Sequence, residues 1–174
     1  MKTLFAVITL MILAVAQPRL FAQSSALGSS ASPVAAQWSV QLDRVDPADV
    51  KIEPAFRIAI YENLLDELAK IKVFKQVFRT GDHNASDVHD LLILKITVQK
   101  YTPGSETKRA VTTVAGATKL NVRSQLSTRD GKVVLERVVD GNVRFIGGNL
   151  RATHNLARNV AKTIKQSTLP QPAP

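Results

Sequence analysis

The chain contains no cysteine among its 174 residues. Disulfide bonds therefore cannot stabilise it, and an exported protein of this sequence would depend on burial of apolar side chains. We also expect no lipid anchor of the kind that bacterial lipoproteins carry on an N-terminal cysteine. With 45% hydrophobic residues, the chain is long enough to form one domain with a sizeable core.

Apolar runs long enough to span a bilayer comfortably are also missing. The run Leu4–Ala16 has 13 residues and follows a single basic residue, Lys2, which is typical of a removable secretory signal. We predict a signal peptide over residues 1–22, with cleavage after Ala16 or an uncleaved membrane anchor as alternatives. The mature chain is then periplasmic or secreted and has no transmembrane helix.

The sequence also has no motif that frames a catalytic nucleophile. Without cysteine, covalent catalysis would need a serine or lysine beside a positioned base, and no such pattern occurs. No glycine-rich pattern that could cradle a phosphate is found either. We therefore expect a protein that is not an enzyme and has no cofactor.

One polar loop keeps an alternative open. The stretch from Asp82 to Asp90 holds five histidine and aspartate residues in nine positions, and these side chains suit zinc or a similar divalent ion. The candidate ligands are His83, Asp87 and His89. Because their spacing matches no closed structural site, we do not favour a metal site. A metal-dependent hydrolase built on the His83 to Asp90 loop is the alternative function.

The basic residues are concentrated in the second half of the chain. From Lys100 onward there are 13 basic and four acidic residues, whereas residues 23–99 hold eight basic and ten acidic ones. A basic half commonly faces an anionic partner, although the same excess can simply keep a secreted domain soluble. In an exported protein, an envelope protein or an anionic envelope component is the expected partner, and nucleic acid is not.

The stretch from Asp90 to Phe145 predicts a three-stranded antiparallel meander. Apolar and polar residues alternate along Leu92–Gln99 and along Lys119–Leu126, and the pair Asp130-Gly131 predicts a tight turn into a third strand over 132–145. Trp38–Leu42 is predicted to form a first strand.

Two helical patterns flank the predicted meander. One begins at Pro54 with apolar residues from Phe56 to Ile71 and leads directly into a short strand over Val73–Phe78, as in a strand-helix-strand unit. The other begins after an N-cap at Asn149 and buries Leu150 and later apolar residues. We predict a single α+β domain over 38–167, with a mixed, mainly antiparallel sheet and both helices packed on one face. A flexible leader over 23–37 and a disordered tail over 168–174 complete the organisation.

The solvent-exposed side of the predicted meander is the candidate binding surface. Strand alternation places on it a polar, basic set with one aromatic residue, namely Lys95, Gln99, Tyr101, Lys119, Arg123 and Gln125. An open sheet face of this kind can be simple solvated surface or can receive a partner. We interpret it as a partner site.

From about Pro54 to Lys165 the chain resembles a family of bacterial envelope proteins known as domain of unknown function 4410. The likeness is carried by the segments 96–104, 110–126 and 130–131 with the following strand, and by the closing helix over 152–164. It implies an exported α+β domain that serves as a protein-contact module, and it implies no catalytic residues. The predicted function is a non-catalytic exported binding or adaptor domain of the bacterial cell envelope.

Overall fold

The computed structural model describes residues 37–111, 116–143 and 148–172. The predicted signal peptide, nearly all of the predicted leader and residue Phe145 lie outside these ranges. The fold is α+β, as predicted, and its five-stranded mixed sheet has the strand order β2-β1-β3-β4-β5. The strands are β1 (Ser39–Leu42), β2 (Val77–Arg79), β3 (Leu91–Thr102), β4 (Lys119–Thr128) and β5 (Val133–Asp140). The helices are α1 (Pro54–Lys70), α2 (Glu106–Val111) and α3 (Arg151–Gln166).

Strand β1 lies inside the sheet and is parallel to both of its neighbours, β2 and β3. The strand-helix-strand unit β1-α1-β2 is therefore confirmed. The predicted antiparallel meander is confirmed as well, because β3 pairs antiparallel with β4 and β4 with β5. Gly131 takes a φ of +87° in the turn between β4 and β5, a value that glycine adopts without steric cost.

Strand β2 begins later than the prediction of Val73. Lys72 has a φ of +53°, so the chain turns sharply after α1 and buries Phe74 in the core before pairing starts. The first hydrogen bonds of this segment follow this turn: the Lys75 amide donates to the carbonyl of Trp38, just before β1, and the Val40 amide of β1 donates to the Gln76 carbonyl. The apolar run thus contains a core-filling turn and only a short strand.

Helix α3 begins one residue later than its sequence suggests. Leu150 is the N-cap residue, and its side chain is 60% exposed, so the predicted burial of Leu150 is wrong. Asn149 instead uses its side-chain oxygen to accept hydrogen bonds from the Gly104 amide (3.2 Å) and the Thr118 hydroxyl (2.6 Å). It therefore connects the entry of α3 to the β3–β4 connection, because neither partner is near it in sequence.

The main core combines buried side chains of the sheet with those of α1 and α3. The buried side chains of β3 and β4 in this cluster alternate along each strand, and the buried stripes of both helices belong to the same cluster. Asn63 of α1 also donates a 2.8 Å hydrogen bond to the hydroxyl of Thr153 in α3. A smaller cluster contains Phe78, Ala85 and Leu91.

The C-terminal segment makes specific contacts, in contrast to the predicted disordered tail. Leu169 packs against the core, and the Trp38 indole nitrogen donates a 2.6 Å hydrogen bond to the Pro170 carbonyl. The last two residues lie outside the described ranges. Across the described part of the chain, no helix combines the length and the apolar character that a membrane span requires.

Candidate functional site

The side of β3, β4 and β5 that does not contribute to the core forms the candidate site, which we call the open face. Cross-strand pairs define it: Lys95 opposes Gln125, Thr97 opposes Arg123, and Thr102 opposes Lys119. Strand β5 continues the same side with Glu136, Val138 and Asp140, which oppose Gln125, Arg123 and Asn121. Four of the six predicted residues, Lys95, Lys119, Arg123 and Gln125, are brought together here.

A β-bulge in β3 removes Tyr101 from this surface. The pairing register shifts between Val98 and Lys100, so Gln99 is an extra residue and the alternation of sides reverses after it. Tyr101 therefore opposes the fully buried Leu120, and its ring centroid lies 4.7 Å from that of Phe56 in α1. The predicted placement of Tyr101 on the solvent-exposed side of the meander is wrong.

The bulge gives the open face a lysine that sequence reasoning missed. Lys100 opposes Asn121 and is exposed. Regular alternation would have placed Lys100 on the core side, with Gln99 and Tyr101 on the open face. Gln99 is exposed at the bulge itself, without an opposing residue. Nothing in the alternation of Leu92–Val98 signals an insertion after Val98, so this error could not be avoided from the pattern alone.

Burial changes the acid-base behaviour of Tyr101. The pKa of its hydroxyl is raised from the ordinary value of 10.0, chiefly because the ring is partly withdrawn from water and secondly because Glu53 is negatively charged. Both causes favour the neutral phenol. The side chain thus behaves as a core residue of the α1–sheet contact.

Neighbouring carboxylates engage part of the open face. The Asn121 amide donates to Asp140 at 2.7 Å, and the Gln125 amide donates to Glu136 at 3.2 Å. Lys95 lies 3.8 Å from a carboxylate oxygen of Asp46, which follows β1. The three carboxylates therefore contact two amide side chains and one lysine of the open face.

Three cations of the open face have no ion pair within the described ranges, namely Lys100, Lys119 and Arg123. Next to Arg123 on β5 lies Val138, an apolar side chain that is 60% exposed. The open face is therefore a surface of mixed sign, with cations on β3 and β4, acids on β5 and the apolar Val138 between those acids.

The three candidate metal ligands of the Asp82–Asp90 loop are not brought together to form a metal site. His83, Asp87 and His89 are all exposed, and the described residues contain no group of three histidine, aspartate or glutamate side chains placed to hold a metal ion. The loop instead forms a short 3-10 helix, His83–Ala85, which Asp82 caps by accepting from the Asn84 amide at 3.0 Å.

Arg129, just after β4, fixes this loop to the rest of the domain. Its guanidinium donates to the carbonyl of Ser86 at 2.9 Å and to the carbonyl of Ala85. Ala85 in turn packs with Phe78 and Leu91 in the smaller apolar cluster. The polar sequence of the loop is thus explained by a cap and by backbone contacts that cover part of the sheet.

Comparison with known proteins identifies the fold and no closer relationship. No protein-family model and no curated protein matches the chain. Among solved structures, the PelC dodecamer from Paraburkholderia phytofirmans is similar with a TM-score of 0.54 and 14% identity, over 73% of this chain and 88% of that one. The hypothetical protein CT253 from Chlamydia trachomatis gives a TM-score of 0.52 and 10% identity, over 75% of this chain and 96% of that one. At such identities the likeness concerns the fold alone.

Proposed function

We propose that this protein is a non-catalytic binding or adaptor domain of the bacterial cell envelope, which contacts an envelope protein through the open face. The observation that carries the proposal is the position of Lys119 and Arg123, two cations of the open face that form no ion pair within the described ranges, with the exposed Val138 opposite Arg123. Protein contact surfaces commonly combine arginine and apolar side chains at the centre with polar groups around them.

The mixed sign of the open face favours a protein over a polyanion. Glu136 and Asp140 border the cations on β5, and like charges would repel a uniformly anionic lipid surface or polysaccharide there. A protein partner can match both signs with its own charges. An anionic envelope component is therefore the weaker candidate for this face.

The apolar segment Leu4–Ala16, which has the features of a secretory signal, supports the location in the envelope. Residues 1–22 would direct export and be removed from the mature chain. The solved structure of PelC is that of a dodecamer, so this type of fold occurs in a protein that assembles from many copies. Another copy of this chain is accordingly among the protein partners to be tested.

A binding experiment with matched charge reversals tests the proposal. The chain from Gln23 onward serves as bait in envelope extract, and its Lys119→Glu/Arg123→Glu variant is compared with a control variant, Lys162→Glu/Lys165→Glu, which alters exposed lysines of α3. We expect a discrete protein that the wild type and the control retain and the open-face variant loses.

Two other results would contradict the proposal. Equal loss in both variants would mean that net charge alone drives retention. If no protein is retained while anionic vesicles still bind in low salt and are released by added salt, the protein acts through charge on an anionic surface.

A further inference from the structure

A groove on the α1 side of the molecule has features of a ligand site that are independent of the open face. Its volume is about 440 Å³, within the range of small-molecule pockets. The groove lies between the start of α1, the segment after β1 and the end of β2. Three arginines line it, Arg44, Arg57 and Arg79, and we call it the arginine groove.

Among the residues that the structure describes, only one of these arginines is paired with a carboxylate. Arg79 binds Glu62 through two hydrogen bonds of 2.6 and 2.7 Å, and this guanidinium holds the pKa of Glu62 below its ordinary value. Glu62 is thereby committed to Arg79. Within the described ranges, Arg44 and Arg57 form no ion pair, so the groove has an excess of positive charge.

Arg57 combines an unsatisfied donor with a position at the start of α1. Its Nε atom is buried and has no hydrogen-bond partner among the described residues, so the guanidinium is not neutralised by the protein there. Arg57 lies in the first turn of α1, which contains no acidic residue. An anion bound by the terminal nitrogens of this guanidinium would complement the positive end of the helix dipole.

The remaining walls of the groove are mainly apolar. Val45, Pro54 and Ile58 line it, and Ile58 is 61% exposed although it is a large aliphatic side chain. Tyr61 adds an aromatic ring, which Arg79 approaches to 5.9 Å from the ring centroid. A ligand that fits must therefore present an apolar body as well as an anionic group.

We propose that the arginine groove binds an amphipathic carboxylate, with its carboxylate on Arg57 and Arg44 and its alkyl chain against Ile58, Val45 and Pro54. The guanidinium fork matches the two oxygens of a carboxylate. Burial of the chain would cover the exposed Ile58 side chain and contribute the larger part of the affinity. This binding site and the open face involve different residues, so either can fail without the other.

Calorimetric titration of the purified full chain with decanoate, below its micellar concentration, tests the proposal. We expect one site that decanol, which has the same chain and no charge, occupies at least tenfold more weakly. Arg57→Gln should weaken decanoate binding at least tenfold. Arg158→Gln, a matched change at an exposed arginine of α3, should leave it unchanged.

A second variant protects the test against misfolding of the arginine variant. Ile58→Ser changes a mostly exposed side chain, so it should fold normally by circular dichroism and still weaken decanoate binding severalfold. Absence of binding to the folded wild type would overturn the proposal. Equal affinity for decanol, equal affinity of Arg57→Gln, or equal loss in Arg158→Gln would overturn it as well.

Discussion

At the scale of single residues, Gly141 is the position where adding one side-chain carbon should most clearly lower stability. A Cβ atom there would meet the Ala152 carbonyl oxygen and lie 2.5 Å from Cβ and 2.9 Å from Cα of Leu156. Since α3 passes this close to the end of β5, we predict that Gly141→Ala lowers the free energy of unfolding by about 3 kcal/mol through overpacking. Urea denaturation measures the change.

Gly131→Ala provides the matched comparison for Gly141→Ala. Nothing lies within 4 Å of an added Cβ at Gly131, but its φ is +87°. The expected loss is therefore only about 1 kcal/mol of backbone strain. Equal losses in both variants would show that α3 does not pack closely on Gly141.

The raised pKa of Tyr101 predicts a loss of stability in alkali. Because folding raises this pKa above the ordinary value of 10.0, the neutral phenol's contribution is fully present below the unfolded pKa and is lost as pH rises through the folded one. The free energy of unfolding of the wild type should fall more steeply above pH 10 than that of Tyr101→Phe. Parallel curves would contradict the burial of this hydroxyl.

At the scale of elements, regular periodicity decided what the sequence could predict. Helix α1 and the meander follow from apolar spacing over many residues, and the turn at Gly131 follows from one glycine. The late start of β2 depends on the backbone of Lys72, and the entry of α3 depends on distant partners of Asn149. These are tertiary effects, which local patterns do not contain.

The candidate site shows the same limit. The alternation of β4 correctly placed Lys119, Arg123 and Gln125 on the open face. In β3 the bulge at Gln99 places Lys100 on the open face and turns Tyr101 toward the core, since a shift of one residue moves each following side chain to the other side. The border of acids and the exposed Val138 on β5 could be assigned to this face only once the strand register was known.

Deleting Gln99 should therefore leave Tyr101 in place, because the deletion removes only the extra residue of the bulge. Lys100 would follow Val98 directly, and Tyr101 would still oppose Leu120 and contact Phe56. We predict that the deletion changes the free energy of unfolding by less than about 1 kcal/mol, whereas Tyr101→Ala lowers it by about 2 kcal/mol through loss of the ring. Urea denaturation of both variants tests this, and a deletion variant as destabilised as Tyr101→Ala would show that the bulge itself holds Tyr101 against Phe56.

At the scale of the whole molecule, the two ends of the described domain are joined without a covalent link. Trp38 precedes β1, and its indole donates to Pro170, 132 positions later. In a chain without cysteine, such contacts replace the crosslinks on which many exported domains rely. The C-terminal segment after α3 therefore has a structural role in closing the core beside Trp38.

Truncation measures that role, because Trp38 is the only tryptophan and reports on its own surroundings. A chain ending at Ser167 loses both the Leu169 contact and the Pro170 carbonyl. We predict a red-shifted tryptophan emission and a loss of about 2 kcal/mol, about half from the hydrogen bond and the rest from exposed apolar area. A chain ending at Ala173 keeps both contacts and should match the full chain. If the shorter chain has unchanged emission and stability, the segment after α3 does not close the core, and α1, α3 and the sheet suffice to hold the fold.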